Sequence, residues 1–286
     1  MRPAPFEYVR PTELGEVLAL LAEYRERAAV LAGGQSLVAQ LNARRRSPEL
    51  VIDIASVAEL GRIDRDAGLL RVGAMVTQRG LQRAEGVPDV LVEALNAVGH
   101  VPTRNRGTLG GSIAFADPAA ELPTTLLALD GAVTVCSAAP PGRRTVPAAE
   151  LFAGPFRTVL GPDELITEVL LPLPEPGTSW AFEQRDFRRH AKVSVVAGRA
   201  EHGALTVAAG GLAGTPVRLD DAEALLDKAQ SRGDGIAAIA DALAELVAPN
   251  ADHYGSPNYR RQLVRVASAA ALHRVLPPTD GSGAAA

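Results

Sequence analysis

The sequence predicts an α+β fold on three observations. Short apolar, strand-like segments alternate with helix-periodic ones over the first part of the chain. Pro172-Leu-Pro-Glu-Pro-Gly177 packs prolines and a glycine into a run that neither a helix nor a sheet ladder tolerates, so the chain divides there. Beyond it, strand-like segments come first and helical ones after, the order expected of a sheet covered by helices on one face.

Taken in order, Phe6–Val9 reads as a short strand. Pro11-Thr12 punctuates the helix that follows, with Thr12 expected as its N-cap and Leu14, Val17, Leu18 and Leu21 on its buried face. Ala28–Leu31 is a small apolar strand ended by Gly33-Gly34, and Leu50–Ile54 is a second, β-branched one. Leu69–Val72 opens the next section, which runs into a helical stretch at Val90–Val98. A glycine-rich turn from Gly107 precedes a helix over Ala119–Leu129, then strands at Ala132–Cys136 and Glu164–Leu171. After the proline-rich break, Val193–Arg199 and Ala204–Ala209 read as a hairpin, and helices follow at Asp220–Lys228, Gly235–Val247 and Asn258–Val275. The small, polar end, 279–286, reads as a frayed tail.

Composition narrows the function. With 286 residues, 47% hydrophobic and 22% charged, the chain has ample material for a buried core and is neither disordered nor fibrous. Its 29 basic and 33 acidic residues leave a net charge of −4, which offers no basic field to a polyanion, so a nucleic-acid partner is disfavoured. Cys136 is the single cysteine, so this chain cannot ligate an iron–sulfur cluster or a cysteine-rich zinc site. No apolar run approaches the roughly eighteen residues of a membrane span, and no export signal is visible, so a cytoplasmic protein is expected.

Two glycine pairs dominate the candidate chemistry: Leu31-Ala-Gly-Gly-Gln-Ser-Leu37 and Thr108-Leu-Gly-Gly-Ser112. Glycine turns the backbone where a Cβ would block a ligand, and successive free N–H groups in such a turn form a nest for an anion. Ser36, Thr108 and Ser112 add hydroxyls, making a pyrophosphate cradle; the plain alternative is two ordinary turns. On the cradle reading, ligand phosphates approach the backbone at Gly34 and Gly111, where a Cβ would intrude. Neither pair matches the dinucleotide fingerprint or the P-loop. Asp117 and Glu121, at the start of the next helix, are either dipole-stabilising caps or acceptors for ribose hydroxyls. The histidines show no zinc spacing and no G-x-S-x-G elbow occurs. Arg185, Arg188, Arg189, His190 and Lys192 form a basic cluster, either a solvated face or the rim of a site for an acidic partner.

Phe6-Glu-Tyr-Val-Arg-Pro11, Ala32-Gly-Gly-Gln-Ser36, Val51-Ile-Asp-Ile54, Arg104-Asn-Arg-Gly-Thr-Leu-Gly-Gly-Ser112 and Ala116-Asp-Pro-Ala-Ala-Glu-Leu-Pro123 stand in an order that resembles the medium, FAD-binding subunit of the molybdenum hydroxylases, the carbon monoxide dehydrogenase and xanthine dehydrogenase group. Gly161-Pro-Asp-Glu-Leu-Ile166 and Asn258-Tyr-Arg-Arg-Gln-Leu263 extend the likeness over nearly the whole chain. The resemblance implies a vanillyl-alcohol-oxidase-type (PCMH-type) fold: FAD-binding subdomains at 1–57 and 58–176, an α+β C-terminal domain at 177–278, and the tail.

Carried over residue by residue, the resemblance places the dinucleotide against Val30, Leu31, Ala32 and Gly33, then Gly34, Gln35, Ser36 and Leu37. On the other side it places Val98, Thr108 and Leu109, with Gly110, Gly111 and Ser112. Glu121 would meet the adenosine ribose, Asp117 would serve the loop, and Ile166 would pack on the isoalloxazine. The stretch Phe182-Glu-Gln-Arg-Asp186 departs from the family in carrying no lysine.

The resemblance further implies a non-covalent FAD and no catalytic acid, base or nucleophile on this chain. Molybdenum cofactor would sit on a large partner subunit and [2Fe–2S] clusters on a small one, the whole pairing as a dimer of heterotrimers. The flavin would pass electrons from the clusters to an outside acceptor. A self-contained flavin oxidase and a non-catalytic FAD-binding accessory module remain as alternatives.

Overall fold

The computed structural model describes residues 2–66, 68–186, 193–201, 205–232, 235–251 and 255–276, with the backbone alone at 230–232. Strand β1 (Glu7–Val9), helix α1 (Leu14–Tyr24), strand β2 (Ala28–Leu31), helix α2 (Leu37–Asn42) and strand β3 (Leu50–Asp53) build the first sheet, three parallel strands in the order β1-β3-β2. Parallel neighbours need crossovers, which α1 and α2 supply. The central strand β3 is buried on both faces, as that arrangement demands. Leu50 and Ile52 pack with Val17 and Leu21 of α1, while Val51 packs with Leu37 and Leu41 of α2.

One expectation fails here. Glu13, not Thr12, stands at the N-cap of α1, in extended conformation and without a side-chain bond. Val17 N–H bonds Glu13 O, so Thr12 lies one residue too early for its hydroxyl to reach the first turn. The Phe6–Pro11 motif serves the sheet instead: the Tyr8 hydroxyl donates to Asp53 Oδ2, and that bond raises the phenol's pKa above its ordinary value.

The chain continues through strands β4 (Ile63–Asp66) and β5 (Leu69–Gly73) and helices α3 (Gln78–Arg83), α4 (Asp89–Ala97), α5 (Val101–Arg106), α6 (Leu109–Phe115) and α7 (Glu121–Ala128). Strands β6 (Ala132–Cys136) and β7 (Arg143–Pro147), the turn α8 (Ala148–Leu151), the hairpin β8 (Phe152–Gly154) and β9 (Arg157–Thr158), and strand β10 (Leu165–Pro172) follow. The second sheet is antiparallel in the order β4-β5-β10-β6-β7, with Val72, Val133, Val146 and Val169 aligned on its buried side. Its register shifts in β10 between Ile166 and Glu168.

Arg144 of β7 reaches across β6 to Glu164 at 2.6 and 2.7 Å, and Glu164 also accepts Gly161 N–H at 2.7 Å. The Arg144 bond holds the Glu164 carboxyl below its ordinary pKa. A depressed folded pKa contributes stability that is present above the unfolded value of about 4.3 and disappears as pH falls through the folded pKa. Glu164→Gln is therefore expected to cost about 0.5–1 kcal/mol at pH 7, a small figure because Arg144 is partly solvated. Thermal melts of both proteins from pH 7 to pH 3 check this: the two curves should converge in acid, and a constant gap would refute the linkage.

Strands β11 (Ser179–Arg185), β12 (Val193–Arg199), β13 (Leu205–Gly210) and β14 (Val217–Arg218) form an antiparallel sheet, followed by helices α9 (Ala222–Arg232), α10 (Ile236–Leu246) and α11 (Pro257–Val275). Val193, Val195, Ala197, Val207 and Ala209 face those helices in one apolar core. The expectation of a sheet covered on one face is corrected, because every residue of β12 from Val193 to Gly198 is buried. Helix α7 fills the other side: Ser194 Oγ lies 3.4 Å from Thr124 Oγ1, and a Cβ on Gly210 would meet that same oxygen at 2.1 Å. Helix α7 lies some seventy residues upstream, so local periodicity could not reveal it.

The chain divides into two compact units. Met1–Pro88, Leu95–Asp117 and Leu129–Leu173 form the first, which holds the first two sheets; Asp89–Ala94, Pro118–Ala128 and Pro174–Ala286 form the second, which holds the third sheet. No described helix is long and apolar enough to cross a membrane. The hairpin turn at 202–204, Arg188, Arg189, His190 and Lys192 of the basic cluster, and the tail lie outside the described residues.

Candidate flavin site

The first glycine loop leaves β2 at Leu31 and enters α2 at Leu37. Gly34 has φ +74°, a left-handed conformation that a side chain strains. Gly33 is required for a different reason: a Cβ there would lie 2.1 Å from Arg106 O and 2.9 Å from Gly107 Cα. The two glycine regions thus meet backbone to backbone within the first unit. Among the described residues, no backbone acceptor serves the amides of Gly34, Gln35, Ser36 and Leu37, and Ser36 makes no side-chain cap. Four successive unpaired amides beside a half-buried hydroxyl suit a pyrophosphate. Leu37 itself points into the core.

The second pair is built differently. Thr108 bridges Thr77 and caps α6 by accepting Gly111 N–H at 3.0 Å. Leu109 N–H bonds Val76 O and Gly110 N–H bonds Ala74 O, both at 3.0 Å, and Ser112 N–H bonds Thr108 O. These amides are engaged inside the protein and form no free run like that of the first loop. A Cβ on Gly110 would meet Ala74 Cβ at 2.5 Å, and one on Gly111 would meet Thr108 Oγ1 at 2.7 Å. Gly110 is explained by the approach of α6 to the chain after β5, whereas a Cβ on Gly111 would crowd the cap hydroxyl of Thr108 and stand 3.5 Å from Ala32 Cβ of the first loop.

Arg104 holds this region together, although the sequence offered it only as part of a motif. Only 8% exposed, it donates to Val98 O at 2.7 Å, Gly99 O at 3.2 Å and Gln82 Oε1 at 3.3 Å. Val98, an expected contact, is thereby fixed at the end of α4. Ile166 is 3% exposed and lies in β10 at the register shift. Asp117 follows α6 half-buried; Glu121 opens α7 in the second unit, buried, accepting Gln184 Nε2 at 2.8 Å. Gln184 thus stands in the lysine-free stretch and partners the carboxylate. Among the described residues, no cluster of His, Cys, Asp or Glu could hold a metal ion.

The family described as the FAD binding domain in molybdopterin dehydrogenase matches residues 4–174. The chain belongs to it, as an FAD-binding medium subunit of the molybdenum hydroxylases. The CO dehydrogenase flavoprotein C-terminal domain matches residues 191–275. The medium subunit is 36% identical to the 6-hydroxypseudooxynicotine dehydrogenase complex subunit alpha of Paenarthrobacter nicotinovorans, over 98% of this chain and 99% of that one. It is 40% identical to the caffeine dehydrogenase subunit beta of a Pseudomonas species, over 66% of this chain but 65% of that one. Among solved structures, quinoline 2-oxidoreductase from Pseudomonas putida 86 superposes with a TM-score of 0.87 at 30% identity, covering 96% of this chain and 98% of that chain. The carbon monoxide dehydrogenase of Hydrogenophaga pseudoflava superposes at 0.85 and 31% identity, over 96% of this chain and 98% of that one. The expected α+β flavoprotein fold and the assignment to an oxidoreductase subunit both hold.

Proposed function

We propose that this medium subunit is the flavin station of a molybdenum-containing dehydrogenase, taking electrons from [2Fe–2S] clusters on a small partner subunit and handing them to an outside acceptor. The run of unpaired amides from Gly34 to Leu37, in a chain of an FAD-binding family, carries this reading. The amides and the Ser36 hydroxyl would bind the pyrophosphate; Val30, Leu31 and Ala32 would line the nucleotide on one side, and Val98 and Ser112 on the other. When bound, FAD supplies the exchange between one-electron donors and two-electron acceptors. The chain's own part is to bind and orient the cofactor, as in cofactor enzymes generally. Glu121, with Gln184 as its partner, is proposed for the ribose.

The same reading proposes subdomains at 1–57 and 58–176 and a C-terminal domain from 177, a non-covalent FAD, and assembly with a large molybdenum subunit and a small [2Fe–2S] subunit as paired heterotrimers in the cytoplasm. Co-expression with two such subunits, followed by size-exclusion chromatography, metal analysis and acid precipitation, is the test. Flavin should co-elute with molybdenum and iron, be released wholly to the acid supernatant, and bleach with substrate only in the complex. A chain that elutes alone and bleaches with a substrate would make it a self-contained oxidase. A yellow chain that never bleaches would make it an accessory module.

A further inference from the structure

The motif Arg104-Asn-Arg-Gly107 carries two arginines that the fold treats in opposite ways. Arg104 is buried and spends its guanidinium on the Val98 and Gly99 carbonyls and on Gln82. Arg106, the last residue of α5, is exposed, and among the described residues its side chain makes no hydrogen bond and no ion pair. The plain account of such a residue is a cation favoured at the C-terminal end of a helix.

The place of its main chain points further. A Cβ on Gly33 would lie 2.1 Å from Arg106 O, so the two residues touch backbone to backbone. The run of amides without a backbone acceptor begins at the next residue, Gly34. That is one peptide unit further on, about 3.8 Å from Cα to Cα. An arginine stem is longer than that step, and this one is exposed with no partner to hold it elsewhere. A nest of amides offers only partial positive charge, whereas pyrophosphate is a dianion. A guanidinium adds a full charge and a planar fork of donors that fits two phosphate oxygens at once. The free amides and the unclaimed cation adjoin each other within the first unit.

We propose that Arg106 is the charged member of the pyrophosphate site, its guanidinium pairing with the phosphate oxygens that the amides of Gly34 to Leu37 bind. The inference rests on the flavin reading above and adds to it the residue that balances the ligand's charge. It separates two roles. A cation that serves only the end of α5 acts on the fold whether or not ligand is present. One that serves the phosphates acts on the ligand through its charge, and its contribution falls as salt screens it.

The test uses the full chain stripped of flavin, with FAD itself as the probe. Its dissociation constant is read from quenching of flavin fluorescence over a range of sodium chloride concentrations. Arg106→Gln removes the charge from an exposed position and Arg106→Lys keeps it, while calorimetry gives each ligand-free melting temperature. At low salt the dissociation constant of Arg106→Gln is expected to rise about tenfold and to converge on the parent's as salt increases. Arg106→Lys should stay closer to the parent, and all three ligand-free proteins should melt alike. A dissociation constant for Arg106→Gln within about twofold of the parent's at low salt overturns the inference. So does a loss that is the same at every salt concentration, or one accompanied by a lower ligand-free melting temperature, because Arg106 then serves the fold. A parent chain that fails to bind FAD overturns the flavin reading itself, a result distinct from any of these.

Discussion

Gly33→Ala is expected to have the largest effect of any single methyl group added to this chain. The new Cβ would stand 2.1 Å from Arg106 O and 2.9 Å from Gly107 Cα, both backbone atoms that cannot rotate away. The loops must separate, at a cost of about 3 kcal/mol, which is the upper part of the usual range for overpacking. In a chain of this size that corresponds to a fall in melting temperature of about 6–12 °C. FAD binding should be lost with it, because the amides that follow Gly33 move with the loop. Gly34→Ala is the control. Its Cβ would meet only Val38 and Leu31 side-chain atoms at 3.3–3.4 Å, leaving about 1–2 kcal/mol of left-handed backbone strain. Calorimetry and flavin content of both variants decide the matter. If Gly33→Ala melts within a degree of the parent and keeps its FAD, the close approach of the two loops is not what the glycine serves.

Arg104→Met should be nearly as damaging, through a different mechanism. The guanidinium is buried and its three contacts tie the end of α4, the Gly99 turn and Gln82 to the last turn of α5. Methionine keeps the length but leaves the half-buried Val98 carbonyl without its donor, a loss of about 1–3 kcal/mol. Val98 then loses its fixed position, and FAD affinity is expected to drop roughly tenfold, about 1.4 kcal/mol. Urea unfolding should show a lower midpoint with an unchanged slope, and Arg104→Lys should restore part of it through a single retained bond. Equal midpoints for Arg104→Met and the parent would remove Arg104 from its structural role.

Arg104 and the glycines also show how far the chain could be read unaided. The motif containing Arg104 marked the family but not the residue's task, since its partners are main-chain carbonyls at Val98 and Gly99 that carry no sequence signature. The second glycine pair looked like a nest because glycine is the same letter whether a ligand or another strand approaches it. Ala74, which decides the question for Gly110, lies thirty-six residues away.

What the sequence alone determined is what depends on neighbours along the chain. The apolar periodicity placed β2, β6, α4, α10 and α11 close to their true bounds, and one cysteine was enough to deny the chain its own cluster. The tertiary structure decided what depends on neighbours in space. It set α7 against the hidden face of the third sheet, brought Gly33 onto Arg106, and left the amides from Gly34 to Leu37 unpaired while engaging those from Leu109 to Gly111. The physical reason is that a residue's preference for helix, strand or turn is a local energy. Whether an amide is free or a glycine irreplaceable is settled by atoms from distant segments, and no short pattern records them.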